Sequence, residues 1–243
     1  MPTYPVDTSL SSTDAVILCG GLGTRLQSVL SDRPKGLAPI GSRAFLDIVL
    51  DDLVRQGLRR IIFCVCHMKE QIIARYENRA DAECVFSQEA VPLGTGGAVR
   101  NALPLIRSDP FLVMNGDSLC QVDLGAFYRF HVRNSSAASM VLTAPDVRQD
   151  CGTVQLNEAQ RILSFSEKSA SPSRNRFVNA GIYLLSADAM KTTEKAFPFS
   201  LEYDFLPDLV KTKPCFGFVV QSKLVDIGTP ERYLKANDDD SQL

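Results

Sequence analysis

Apolar residues in this chain gather in short runs broken by polar and glycine-rich stretches, and the pattern differs between the two halves. Ala15-Val16-Ile17-Leu18-Cys19, Ile61 to Cys66 and Phe111 to Met114 are continuous apolar runs. Such runs predict strands buried on both faces, the signature of a parallel sheet covered by helices. Between the first two, Leu46, Val49, Leu50 and Leu53 recur at helical spacing, and Gly57 stands where a C-terminal glycine ends a helix. A second helix is predicted from Lys69 to Arg79, then a short strand from Cys84 to Phe86. The cluster Leu93-Gly94-Thr95-Gly96-Gly97 leads into Ala98, Val99, Ala102, Leu103 and Ile106, a helix entered from a glycine-rich turn. Alternating strands and helices predict an α/β fold with a mostly parallel, doubly wound sheet.

The second half reads differently. Ser139 to Ala144, Gly152 to Leu156, Ile162 to Ser166 and Phe177 to Leu185 are strand-like with few helices between them, which predicts a mixed or antiparallel extension. Ser169 to Ser173 is a polar loop. Asp204 to Val210 and Pro230 to Ala236 are predicted helices, the second opened by proline at its first position. Residues 1–13 lack sustained periodicity and are expected to fray, as is the tail 239–243, leaving a single domain over 14–238.

Composition narrows the class. In 243 residues, 26 basic and 28 acidic side chains give a net charge of -2, a balance that argues against a nucleic-acid partner held through phosphates. The longest apolar run, Ile61 to Cys66, is far short of the roughly 20 residues that span a bilayer. No basic segment precedes a long apolar stretch at the N-terminus, so a secretory signal is not expected. Seven cysteines without a repeated spacing fit reduced thiols and a cytoplasmic setting, and Cys64 and Cys66 lack zinc-site spacing.

The first strand runs into Gly20-Gly21-Leu22-Gly23-Thr24-Arg25-Leu26. Glycines let backbone N–H groups approach an anion, although a tight turn would need them too. A dinucleotide fingerprint would require glycine where Leu26 stands, and no G-K-[ST] follows to make a P-loop. Arg25 adds a guanidinium able to hold phosphate bidentately, and Lys35 follows in Arg33-Pro34-Lys35-Gly36-Leu37.

LCGGLGTRL with RPKGLAPIG resembles the signature of the sugar-1-phosphate nucleotidyltransferases. The resemblance continues through LGTGGA at 93–98, NGDS at 115–118, FSEK at 165–168, NAGIY at 179–183 and DIGTP at 226–230, in family order. It implies a Rossmann-like, GT-A-like domain with a sugar-binding extension, and a catalytic set of Arg25, Lys35, Asp117 and Asp226. Nucleotide would be held by Leu18, Gly20, Gly21, Gly23, Thr24, Arg25, Lys35, Glu89, Gly94, Thr95 and Asp117. Sugar phosphate would be held by Glu167, Lys168, Asn179, Gly181 and Asp226. Asp117 and Asp226 are the implied Mg²⁺ ligands, two carboxylates completed by substrate oxygens. The family usually has proline and methionine after its lysine, where this chain has Gly36 and Leu37, so a looser loop is expected there.

Within the family, CGTV at 151–154 and SLEYDFLP at 200–207 resemble the members that use GTP and D-glycero-α-D-manno-heptose 1-phosphate to make precursors of surface glycans. Guanylyl transfer to mannose 1-phosphate, or thymidylyl or uridylyl transfer to glucose 1-phosphate, remain alternatives. A catalytically silent nucleotide sensor would be marked by loss of Arg25, Lys35, Asp117 or Asp226, and all four are present. Self-association is left open.

Overall fold

A computed structural model of the chain describes residues 10–144, 152–166 and 177–238. Residues 10–13, expected to fray, are structured: Leu10–Ser12 forms a 3-10 turn whose Leu10 is only 3% exposed. The first half contains β1 (Asp14–Leu18), the small hairpin β2 (Pro39–Ile40) and β3 (Arg43–Ala44), α1 (Phe45–Arg55), β4 (Arg60–Val65), α2 (Lys69–Tyr76), β5 (Glu83–Gln88), α3 (Gly94–Ala102) and β6 (Phe111–Asn115). After it come β7 (Ser118–Cys120), α4 (Leu124–Arg133), β8 (Ala138–Thr143), β9 (Thr153–Leu156), β10 (Ile162–Ser166) and β11 (Phe177–Leu185). The chain continues through α5 (Ala187–Lys191), α6 (Leu206–Thr212), β12 (Cys215–Val219), β13 (Leu224–Asp226) and α7 (Pro230–Asp238).

The main sheet runs β10-β9-β11-β6-β1-β4-β5, with β8 on β11 and β12 on β8. Strands β6, β1, β4 and β5 are parallel, and β11 joins β6 antiparallel, so the sheet changes character at that seam. The continuous apolar runs follow from burial on both faces. Ala15 and Ile17 of β1, Ile61 and Phe63 of β4, and Leu112 and Met114 of β6 face one core, packed by α1, α2 and α4. Val16, Ile62, Cys64, Phe111 and Val113 face the other, packed by α3 and α6.

Three expected elements are corrected. The helix from Lys69 stops at Tyr76, whose ring stacks on Phe63 at 5.3 Å. Residues 201–205 wind as a π-helical turn, so α6 starts at Leu206 rather than Asp204. The glycine cluster at 94–97 is inside α3 rather than ahead of it. Gly96 and Gly97 donate their N–H groups to the Phe199 carbonyl at 3.0 and 3.1 Å. A Cβ on Gly94, itself at φ 76°, would overlap that same carbonyl. These glycines therefore let the 197–201 segment dock on the start of α3. The expected polar loop at 169–173 lies outside the described residues, and the β2–β3 hairpin, β7, α4, α5 and β12 were not predicted.

Candidate active site

The loop after β1 opens at the carboxyl end of the parallel strands, where ligands of such sheets bind. Gly23 takes a left-handed conformation, φ 61°, and starts the 3-10 turn Thr24–Leu26, which buries Leu26 and leaves Thr24 and Arg25 exposed. A Cβ on Gly21 would meet nothing within 4 Å, so its glycine keeps space open rather than satisfying packing. The loop borders a cleft of about 390 Å³. All eleven expected nucleotide-side residues line it: Leu18, Gly20, Gly21, Gly23, Thr24, Arg25, Lys35, Glu89, Gly94, Thr95 and Asp117.

Glu89 follows β5 and is 6% exposed. Its Oε2 accepts the Leu93 N–H at 2.9 Å, which fixes the turn into α3. Its Oε1 is buried and has no hydrogen-bond partner among the described residues. That oxygen lies 3.2 Å from where a Cβ on Gly20 would stand. Burial raises the carboxyl pKa above its ordinary value, partly offset by the Leu93 N–H. Cys19, also in the cleft, is pushed well up by burial and then by the Asp117 charge, so it is a packed thiol rather than a nucleophile.

A second chamber of about 190 Å³ adjoins the first, sharing Arg25, Lys35, Asn115, Asp117 and Glu202 with it. Expected sugar-side residues Asn179, Gly181 and Asp226 line it, whereas Glu167 and Lys168 lie outside the described residues. At Gly181 the backbone is left-handed, φ 72°, and a Cβ would come within 2.6 Å of the Asn115 amide. The resulting irregularity in β11 turns Asn179 toward Tyr183, whose hydroxyl accepts its amide at 2.7 Å.

Asp117 and Asp226 come together through a two-stranded pairing. Strand β13 runs antiparallel to β7 with Asp226 opposite Ser118, and the Ile227 N–H donates to the Asp117 carbonyl at 3.1 Å. Each carboxylate is met by a cation of the chain. Lys35, whose side chain is 14% exposed, donates to Asp117 Oδ2 at 2.5 Å. Arg232 of α7 donates to Asp226 Oδ2 at 2.7 Å, while Asp226 Oδ1 accepts the Gly228 N–H at 2.5 Å. The loop carrying Lys35 is a 3-10 turn with Gly36 buried against the Gly116 carbonyl, so the departure from the family pattern fills space closely. Two converging carboxylates whose oxygens already attract positive charge fit a hard divalent cation. Among the described residues no third carboxylate, histidine or cysteine joins them, so remaining ligands would be substrate oxygens and water.

Two residues of this site were not singled out from sequence. Arg232 lacked any motif. Glu202 was covered only by the segment 200–207. It accepts hydrogen bonds from Thr95 at 2.6 Å and Ser200 at 2.9 Å, and Tyr183 is 3.4 Å from its other oxygen. Ser200 also caps the Glu202 and Tyr203 N–H groups, a helix-start signal that hid the carboxylate's role as a cleft wall.

Residues 14–242 match the nucleotidyl transferase family model. The chain is 33% identical over 224 residues to the D-glycero-alpha-D-manno-heptose 1-phosphate guanylyltransferase of Aneurinibacillus thermoaerophilus, covering 92% of this chain and 96% of that protein. It is 34% identical over 221 residues to the protein of the same name from Campylobacter jejuni subsp. jejuni serotype O:2, covering 90% and 96%. Among solved structures, HddC from Yersinia pseudotuberculosis complexed with GMP-PN superposes with a TM-score of 0.80 at 34% identity, over 93% of this chain and 99% of that one.

Proposed function

The chain belongs to the nucleotidyl transferase family and is a sugar-1-phosphate nucleotidyltransferase, and we propose that it transfers GMP from GTP to D-glycero-α-D-manno-heptose 1-phosphate. An oxygen of the sugar phosphate attacks the α-phosphorus of GTP. A P–O bond forms there, the bond to the β-phosphate oxygen breaks, and pyrophosphate leaves with the GDP-sugar as product.

The observation that carries the guanine assignment is the Oε1 of Glu89, buried and without a partner among the described residues, on a side chain that lines the proposed nucleotide cleft. A buried acceptor left unpaired costs about 1–3 kcal/mol, so the preferred base is the one that supplies donors. Guanine offers N1–H and the N2 amino group side by side. Cytosine and adenine present one amino group beside an acceptor nitrogen, and uracil or thymine a single N–H between two carbonyls. The heptose relatives, which cover nearly the whole chain, support the sugar assignment.

Roles for the other side chains follow from charge. Arg25, exposed at the mouth of both chambers, holds the outgoing β- and γ-phosphates. Lys35 stabilises charge at the reacting phosphorus, where a preoriented cation is most effective. Asn179 and the Gly181 backbone receive the sugar, with Glu167 and Lys168 as further ligands of it. Nucleotidyl transferases generally use a divalent metal, and Asp117 and Asp226 would hold Mg²⁺ here. When bound, the ion neutralises phosphate charge and lowers the barrier to in-line displacement. The reaction proceeds in a single domain spanning 14–238, in the cytoplasm where the cysteines stay reduced. Its product feeds a capsular or lipopolysaccharide glycan. The described helices include none long and apolar enough to cross a membrane.

A matrix of four nucleoside triphosphates against heptose, mannose and glucose 1-phosphates, read by pyrophosphate release, tests the assignment. GTP with the heptose substrate should give the highest kcat/KM. Mannose 1-phosphate, which lacks only one hydroxymethyl group at the far end of the ring, should react more slowly rather than not at all. No turnover with GTP overturns the guanylyl reading, and Glu89→Gln, which turns an acceptor into a donor, should lower kcat/KM for GTP by about 10-fold or more.

A further inference from the structure

Among the described residues, three cations line the two chambers: Arg25, Lys35 and Arg232. Arg25 and Lys35 line both, so each is within reach of the triphosphate. Among the described residues Arg232 is the one cation that lines the sugar chamber alone. It is carried on the first turn of α7, where the Thr229 side chain and carbonyl receive the Arg232 and Tyr233 N–H groups. Its side chain is 24% exposed, and the guanidinium donates to one oxygen of Asp226.

Two demands therefore fall on the same ion pair. A sugar 1-phosphate entering this chamber brings a dianion that needs a fork-shaped donor, and arginine meets phosphate oxygens two at a time. Asp226 Oδ1 accepts from the Gly228 backbone N–H, which is fixed in the turn, whereas Oδ2 accepts from the Arg232 side chain, which can move, so Oδ2 is the oxygen most readily turned to a divalent cation. While Arg232 stays on Asp226, the guanidinium competes with the cation for that oxygen and the carboxylate competes with the phosphate for the guanidinium.

On the reading of the reaction given above, we propose that Arg232 binds the phosphate of the sugar 1-phosphate and, in leaving Asp226 to do so, opens that carboxylate to the divalent cation. Sugar phosphate and metal then bind with positive coupling at this end of the site, each favouring the exchange of partners that the other requires. Arg232 is a substrate-binding residue whose resting partner keeps the metal site closed until acceptor arrives.

The experiment compares the wild-type chain with Arg232→Gln and Arg232→Lys, after circular dichroism and thermal melting establish that α7 remains docked. Steady-state kinetics are run with GTP saturating and heptose 1-phosphate varied, then the reverse. Arg232→Gln should raise KM for the sugar phosphate by about 10-fold or more, the worth of a charge-assisted hydrogen bond, and leave KM for GTP within about 2-fold. Arg232→Lys should recover part of the loss, because it keeps the charge without the fork.

The second readout needs no turnover. Free Mn²⁺ is measured by electron paramagnetic resonance in the absence of nucleotide, with and without heptose 1-phosphate. In the wild type, adding the sugar phosphate should tighten Mn²⁺ binding several-fold. Arg232→Gln should bind Mn²⁺ more tightly than wild type from the start and gain nothing further from the sugar phosphate. An unchanged KM in Arg232→Gln, or coupling that persists in it, overturns the inference. Failure of the wild type to turn over any sugar 1-phosphate would count against the proposed reaction instead, and the Mn²⁺ titration would still decide the role of Arg232.

Discussion

Lys35 is paired with Asp117, and this 2.5 Å contact holds it at the boundary of the two chambers, where the proposed reaction gives it a phosphate to neutralise. Lys35→Ala should therefore act mainly on kcat, while Arg25→Ala should mainly raise KM for GTP, because in the proposed reaction one meets the reacting phosphorus and the other the leaving group. Unchanged kcat in Lys35→Ala would move the charge-stabilising role to another residue. Replacing Asp117 or Asp226 by Asn should lower kcat by at least about 100-fold, a few kcal/mol of transition-state stabilisation. Chelation with EDTA should abolish activity and Mg²⁺ restore it, and full activity in either Asn variant would remove the metal assignment. At this scale the sequence was most informative where side-chain chemistry is specific. The motifs singled out Arg25, Lys35, Asp117 and Asp226, all of which line the two chambers, but gave no sign of the Lys35–Asp117 and Arg232–Asp226 ion pairs. Arg232 meets Asp226 only because β13 and α7 fold back on each other within seven residues, and Glu202 meets Thr95 across a sequence separation of 107.

Among elements, α3 shows how one glycine cluster can carry two meanings. Gly94 is held left-handed with its Cα facing the Phe199 carbonyl, whereas Gly21 faces open cleft. Gly94→Ala should cost about 2 kcal/mol or more in unfolding free energy, from strain and backbone overlap together. Gly21→Ala should change stability by less than about 0.5 kcal/mol but raise KM for GTP. Equal stability losses in urea titrations of the two variants would refute that division. Helix α4 was legible in principle, since Asp123 caps it by accepting the Ala126 N–H at 2.8 Å and Leu124, Phe127, Phe130 and His131 share a buried face. Its His131, against Ser139 at 3.0 Å, is held neutral. Burial pushes its pKa down to about 4 against a weaker opposing pull from Asp109. Above the unfolded value near 6.5 both states are neutral and His131 costs nothing. As pH falls from there toward about 4, the unfolded chain takes a proton the folded one refuses, and stability drops by up to about 1.4 kcal/mol per pH unit. His131→Asn should flatten that slope in urea unfolding measured at pH 7 and pH 5. An identical pH dependence in both proteins would show that other groups dominate acid sensitivity.

Across the whole molecule, the parallel half was readable because burial on two faces writes itself as continuous apolar sequence, while pairing order left no such trace. Nothing local to Cys215–Val219 announces that it lies parallel to Ala138–Thr143, some 75 residues earlier. The same long-range closure joins the two chambers. Segment 197–202 comes late in the chain, packs on the N-terminus of α3 through Gly96 and Gly97, and is tied again where the Leu201 N–H donates to the Thr95 hydroxyl at 2.8 Å. Thr95 and Gly94 line the first chamber, and Glu202 reaches both. Nucleotide that orders Gly94 and Thr95 should therefore suppress local opening of 199–202 as well, because the two segments share these hydrogen bonds and open together. Hydrogen exchange with and without a non-hydrolysable GTP analogue tests this directly. The amides of Gly96, Gly97 and Leu201 should slow together, while β10, at the far edge of the sheet, should exchange as before. Protection confined to 94–97 would mean that the sugar side is shaped by its own ligand alone, and that occupation of the first chamber does not prepare the second.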